Sequence, residues 1–176
     1  KACDARDAGE RPAPRRTQDR RETEALTVRD DARLDGLVAR GSEGGFENTP
    51  DTDPDLPGNR AWGEGIAGRM VGSQLGAAAV AAAAVTDGDA LDAIVARGVA
   101  AADAWHALGA GARARILYRA AERLEAHRAD LLEVMGSETG KTLDQGDPEV
   151  SEAIDFANYY AMLGQRLAQV DGATPE

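Results

Sequence analysis

Pro148-Glu149-Val150-Ser151-Glu152-Ala153-Ile154-Asp155-Phe156-Ala157-Asn158-Tyr159-Tyr160-Ala161-Met162-Leu163-Gly164-Gln165-Arg166-Leu167 is the stretch on which the fold class turns. Val150, Ile154, Phe156, Tyr159, Tyr160, Leu163 and Leu167 return at helical spacing. Pro148 suits a first helical turn, where its missing N–H costs nothing. A long helix is expected from about Pro148 to Asp171-Gly172. Before it, Leu131, Leu132, Val134 and Met135 lead to Gly140, a plausible helix stop. Earlier still, Ile116, Leu117, Ala120, Ala121 and Leu124 mark one helix face, with Arg113, Arg115, Arg119 and Arg123 turned to water. His127-Arg128 marks either a break or a bend between these two helices. Leu91, Ile94, Val95, Val99, Ala102 and Trp105 form a further apolar stripe over about 89–108, ended by Gly109 and Gly111. Residues 86–171 thus read as antiparallel helices.

Order weakens toward the N-terminus. Residues 71–86 are rich in Gly and Ala and suggest irregular chain, with at most a short strand near 80–86. A short helix over 60–70 is capped by Asn59 and diluted by Gly63, Gly65 and Gly68. Residues 46–59 carry Pro50, Pro54 and Pro57 among acidic residues, which favours an extended linker. A weak helix is expected within 23–40. The first 25 residues contain no Leu, Ile, Val, Phe, Met, Trp or Tyr. They cannot offset the ~1–2 kcal/mol per residue that ordering the backbone costs, so 1–22 read as a disordered tail. The divisions are therefore a tail (1–22), a weak helix with a Pro/Asp-rich linker (23–59) and a helical unit (60–176). The fold class is mainly α, with four to five helices.

Composition narrows the function classes. Ala supplies 36 of 176 residues, whereas Leu, Val, Ile and Phe together supply only 30. A large core over the whole length is excluded. A net charge of −11 opposes a nucleic-acid footprint, which needs clustered Lys and Arg. No apolar run reaches the ~20 residues of a membrane span. The single Cys, Cys3, excludes an intrachain disulfide and a Cys-based zinc cluster, and fits a reducing cytoplasm. His106 and His127 have no second ligand at metal spacing. No metal site and no catalytic group is assigned.

Three motifs resemble ligand loops and fail on spacing or context. Gly136-Ser137-Glu138-Thr139-Gly140-Lys141-Thr142 is one residue short of a P-loop and ends a helix instead of opening one. Gly63-Glu64-Gly65-Ile66-Ala67-Gly68 matches a dinucleotide fingerprint, but a proline linker precedes it and not a strand. Asp51, Asp53 and Asp55 begin a calcium-loop spacing that Leu56 and Trp62 break.

Taken together, Trp105, Arg113-Ala114-Arg115-Ile116-Leu117, Leu124-Glu125, Arg128, Leu131-Leu132, Glu138-Thr139-Gly140-Lys141-Thr142, Glu149-Val150, Ile154-Asp155-Phe156 and Tyr159-Tyr160-Ala161 resemble, in order and spacing, the N-terminal helical part of the aldehyde dehydrogenase superfamily. The last elements look like those of L-glutamate γ-semialdehyde (1-pyrroline-5-carboxylate) dehydrogenases. Phe46-Glu47-Asn48-Thr49-Pro50-Asp51-Thr52-Asp53, Leu56-Pro57 and Asn59-Arg60-Ala61-Trp62 resemble the segment leading into that domain in bacterial forms fused to proline dehydrogenase. The likeness covers about Gly45–Ala161.

The resemblance implies an α/β parent enzyme that oxidises glutamate γ-semialdehyde to glutamate with NAD. In the family a Cys thiolate attacks the aldehyde, hydride passes to the nicotinamide, and a Glu activates the deacylating water. Those groups lie further along the family's chain than Glu176, so this segment alone is expected to be inactive. The resemblance also implies a homo-oligomeric, cytoplasmic parent and, as partners, the small-molecule substrate and the remainder of the dehydrogenase domain. Two residues carry over as substrate-binding. Glu152 matches a tunnel-lining carboxylate that faces the substrate's α-ammonium, and Phe156, one turn on, helps to wall the tunnel. The residues alone leave another reading open: a stand-alone helical interaction module, in which Glu152 is a solvated helix residue and Phe156 is packing.

Overall fold

The computed structural model describes residues 17–18 and 31–170. Among these, eight helices and two short strands follow one another: β1 (Thr17–Gln18), α1 (Asp31–Glu43), β2 (Asp51–Thr52), α2 (Pro57–Met70), α3 (Ala77–Ala83), α4 (Gly88–Ala100), α5 (Ala102–Ala107), α6 (Gly109–Ala126), α7 (Arg128–Thr139) and α8 (Leu143–Leu167). The mainly α expectation holds, with more and shorter helices than four or five. β1 and β2 pair in parallel, Thr17 against Asp51 and Gln18 against Thr52. Most of the expected 1–22 tail, Cys3, the start of the expected 23–40 helix and the 171–172 stop lie outside the described residues.

The core is built on α8. Its long face packs along α6, and α1 and α7 lean on the same helix, while α2 packs on α7. Ile66, Ala121, Leu132, Val150 and Ile154 form the main cluster, joined by Trp62, Met70, Leu124 and Met135. A second cluster, Ala114, Tyr118 and Ala161, closes against Leu37, Val38 and Leu117. The buried side of α6 therefore runs through 114, 118 and 121. Ile116 and Ala120, expected in the core, are exposed, and Arg113 and Arg115 are half-buried. The face is rotated because Tyr118 inserts under Gln165, whose Nε2 donates to the Tyr118 hydroxyl at 3.3 Å.

Several boundaries differ from the sequence expectation. The Ala-rich segment expected to be irregular or a strand forms α3, since Ala has the highest intrinsic helix propensity and no side-chain entropy to lose. The single helix over 89–108 is two, broken at Ala101. Its stripe is not core: Leu91, Ile94, Val95, Val99 and Trp105 are all exposed. Asn59 is not a cap. α2 starts at Pro57, and Asn59 is buried within it, donating to the Asp53 carbonyl at 2.9 Å. α8 starts five residues before Pro148, because Gln145 accepts from the Thr142 N–H at 3.1 Å in a capping box. Pro148 then sits inside the helix.

Gly140 ends α7 at φ +71, as its sequence position suggests. Gly140→Ala is expected to destabilise the chain by about 1–2 kcal/mol, since an L side chain strains in this region. A denaturant titration measures it.

Candidate functional site

Glu152 and Phe156 lie on the exposed side of α8, one turn apart. Phe156 is half-exposed and packs tilted on Tyr160, with ring centroids 6.1 Å apart. Glu152 lines a cleft of about 460 Å³ whose other wall is the linker. Asn48, Thr49 and Asp51 contribute from the linker, and Pro148, Glu149, Ser151 and Asp155 from α8. The structure thus brings Glu152 and Phe156 to one accessible helix face. The cleft beside Glu152 contains no Lys or Arg among its lining residues, so its chemistry suits a cationic group.

The buried flank of α8, beside the same cleft, carries a polar network that sequence reasoning missed. Asp147, Ser151 and Asp155, four residues apart, are all buried. Arg128 is only 2% exposed. Its Nη1 donates to Asp147 Oδ1 (2.8 Å), to the Asp147 carbonyl (3.0 Å) and to Ser151 Oγ (3.1 Å), and its Nη2 to Glu125 Oε2 (2.9 Å). Asp147 also receives the Thr52 N–H at 2.6 Å and the Thr52 hydroxyl at 2.9 Å. Asp155 receives Asn48 Nδ2 at 2.7 Å and the Thr49 N–H at 2.6 Å. Two buried carboxylates thereby tie residues 48–52 along α8. The only signal in sequence was the i, i+4, i+8 recurrence of Asp147, Ser151 and Asp155, with Arg128 on the preceding helix.

A second ion pair joins the α2 end to α7. Glu133 accepts from Arg69 Nε at 2.6 Å and from Ser73 Oγ at 2.7 Å. The Ser73 hydrogen bond, then Arg69, hold its carboxyl below the ordinary carboxylate value. A lowered folded pKa means that Glu133 adds stability above the unfolded carboxylate value of about 4.3, and that this is lost as pH falls through the folded one. Glu133→Gln is expected to flatten the acid limb of stability against pH, which denaturation midpoints measured across that limb will test. Burial raises the Tyr118 pKa, against the opposing Gln165 hydrogen bond.

The ligand-loop motifs settle into ordinary helix roles. Gly63, Gly65 and Gly68 are inside α2. Gly136–Thr139 close α7, and Lys141 pairs with Glu149. Neither motif forms a dinucleotide cradle. Among the described residues no cluster of three His, Cys, Asp or Glu could hold a metal ion, and His106 and His127 are exposed. No helix of the described residues is long and apolar enough to cross a membrane.

The aldehyde dehydrogenase family model matches residues 73–174, more than half of the chain. The chain belongs to the aldehyde dehydrogenase family. It is 39% identical over 64 residues to the D-glyceraldehyde dehydrogenase (NADP+) of Thermoplasma acidophilum, covering 36% of this chain and 13% of that one. It is 42% identical over 57 residues to the bifunctional protein PutA of Escherichia coli (32% and 4%), and 39% identical over 57 residues to the 1-pyrroline-5-carboxylate dehydrogenase of Oceanobacillus iheyensis (32% and 11%). The matched part is thus a small fraction of each relative. No solved structure matches the chain. The aldehyde dehydrogenase match takes in α3 to α8, and so Glu152, Phe156 and the buried Arg128–Asp147 pair. The Asn48–Thr52 linker and α2 precede it.

Proposed function

We propose that this aldehyde dehydrogenase segment belongs to a cytoplasmic, NAD-dependent enzyme that oxidises L-glutamate γ-semialdehyde to L-glutamate in proline catabolism. Similarity to a 1-pyrroline-5-carboxylate dehydrogenase and to PutA supports this substrate over D-glyceraldehyde, which the Thermoplasma relative names. The observation that carries the site reading is the exposed Glu152 carboxylate in a cleft whose lining carries no basic residue, with Phe156 one turn away. A carboxylate there pairs with the α-ammonium of the semialdehyde, and Phe156 walls its aliphatic part.

The described residues offer no dinucleotide cradle, so no step of cofactor chemistry is assigned to them. The chain supplies a wall and support of that enzyme. The α4–α5 face, with Leu91, Ile94, Val95, Val99 and Trp105 exposed, supports the remainder of the dehydrogenase domain as the natural cover for this segment.

The test is Glu152→Gln in the dehydrogenase that carries this segment. Loss of one charged partner from substrate and transition state alike is expected to raise KM for the semialdehyde about tenfold with kcat little changed. An unchanged KM removes Glu152 from the site. The isolated chain is expected to give no NAD reduction with the semialdehyde.

A further inference from the structure

We infer that residues 46–52 are a strap that positions the substrate-facing side of α8, with Asp155 as the positioning residue that fastens it. This rests on the reading of Glu152 and Phe156 as a substrate wall.

The strap is fixed at two points 8 residues apart on α8: Asp147 holds Thr52, and Asp155 holds Asn48 and Thr49. Both oxygens of each carboxylate accept a hydrogen bond from the strap or from Arg128, and both carboxylates are buried. A strand held this way cannot slide along the helix without leaving a buried carboxylate unpaired. Its first residue, Phe46, starts a run of ring contacts. The Phe46 ring meets Tyr159 edge-on at 5.2 Å. Tyr159 meets Tyr160 edge-on at 5.6 Å, and Tyr160 lies tilted on Phe156 at 6.1 Å. All three separations fall within the range in which aromatic rings orient one another. The run leads from the strap, through the outer side of α8, to Phe156. Asn48, Thr49 and Asp51 of the strap also form the wall facing Glu152. The strap therefore reaches both substrate-wall residues, Phe156 through the two tyrosine rings between them and Glu152 across the cleft they share, although it lies outside the family-matched stretch.

The chain contains two phenylalanines, Phe46 and Phe156, so fluorinated phenylalanine gives one signal for each end of the run. In the full chain, Asn48→Ala is expected to shift both signals. Phe46→Leu is expected to shift the remaining Phe156 signal, and Phe46→Tyr, which keeps the ring, to leave it at its wild-type position. Asn48→Ala removes a strap donor and leaves Asp155 in place, so it serves even if Asp155→Ala does not fold. A Phe156 signal that stays put in Phe46→Leu overturns the inference. So does one that moves equally in Phe46→Leu and Phe46→Tyr, since loss of general packing would do that. These signals need no substrate. If they behave as expected while Glu152→Gln leaves KM unchanged in the dehydrogenase, the strap stands and the substrate reading fails.

Discussion

Arg128→Ala is expected to destabilise the chain by about 3–5 kcal/mol. Arg128 is 2% exposed and gives hydrogen bonds to Asp147, Ser151 and Glu125 from three different turns. Its removal leaves the Asp147 carboxylate buried with only Thr52 to oppose its charge. Breaking one half of a buried pair costs far more than the pair contributes when intact, because the surviving charge keeps its desolvation penalty. The loss should spread beyond α7 and α8, since Asp147 is also the anchor for the strap. A urea titration of the variant against the wild type reads the change. A loss below about 1 kcal/mol would show a water-exposed pair of the ordinary surface kind.

Leu132→Ala follows at about 2–5 kcal/mol. Leu132 is 1% exposed and sits among Ile66, Ala121, Val150 and Ile154, so one side chain fills the junction of α2, α6, α7 and α8. Gly146 lets α8 come close to it: a Cβ built at 146 would lie 2.9 Å from Leu132 Cδ2. Because helix backbones surround the site, it can collapse little around the missing methyls, which places the cost in the upper half of that range. Ile94→Ala on α4 is the internal control. It removes a comparable apolar side chain that is 42% exposed and should change stability by less than about 0.5 kcal/mol. Equal losses at the two positions would mean that α4 is packed.

The difference between these two positions shows what periodicity conveys and what it omits. The 89–108 stripe and the 148–167 stripe are equally regular in sequence. Only the second supplies core within this chain, and only through Val150 and Ile154, while its Phe156, Tyr159, Tyr160 and Leu167 stay exposed, because a repeat of apolar residues says that a face needs a partner and not where the partner is. Gly140 and the interruption at His127 were legible because each follows from local chemistry: a left-handed stop and a helix junction. Asp147 and Asp155 were not. Asp155 is decided by donors about a hundred residues away, and Asp147 by Thr52 at similar separation together with Arg128 on the preceding helix. Glu152 was singled out by resemblance alone. Pro148 misled in a specific way. It suits a helix start, but the capping box at Thr142–Gln145 had already opened α8 one and a half turns earlier.

Hydrogen exchange along the full isolated chain tests the central claim most directly, which is that this is an aldehyde dehydrogenase segment whose own core is α6–α8 and whose α4–α5 face is shaped for the rest of the domain. Slow exchange over residues 114–135 and 146–165, with fast exchange over 77–108, is the predicted result. Uniform protection from 88 to 167, in a monomer that melts in one cooperative step, would contradict it. The α4–α5 stripe would then be satisfied within the chain, and a stand-alone helical module would be the better description.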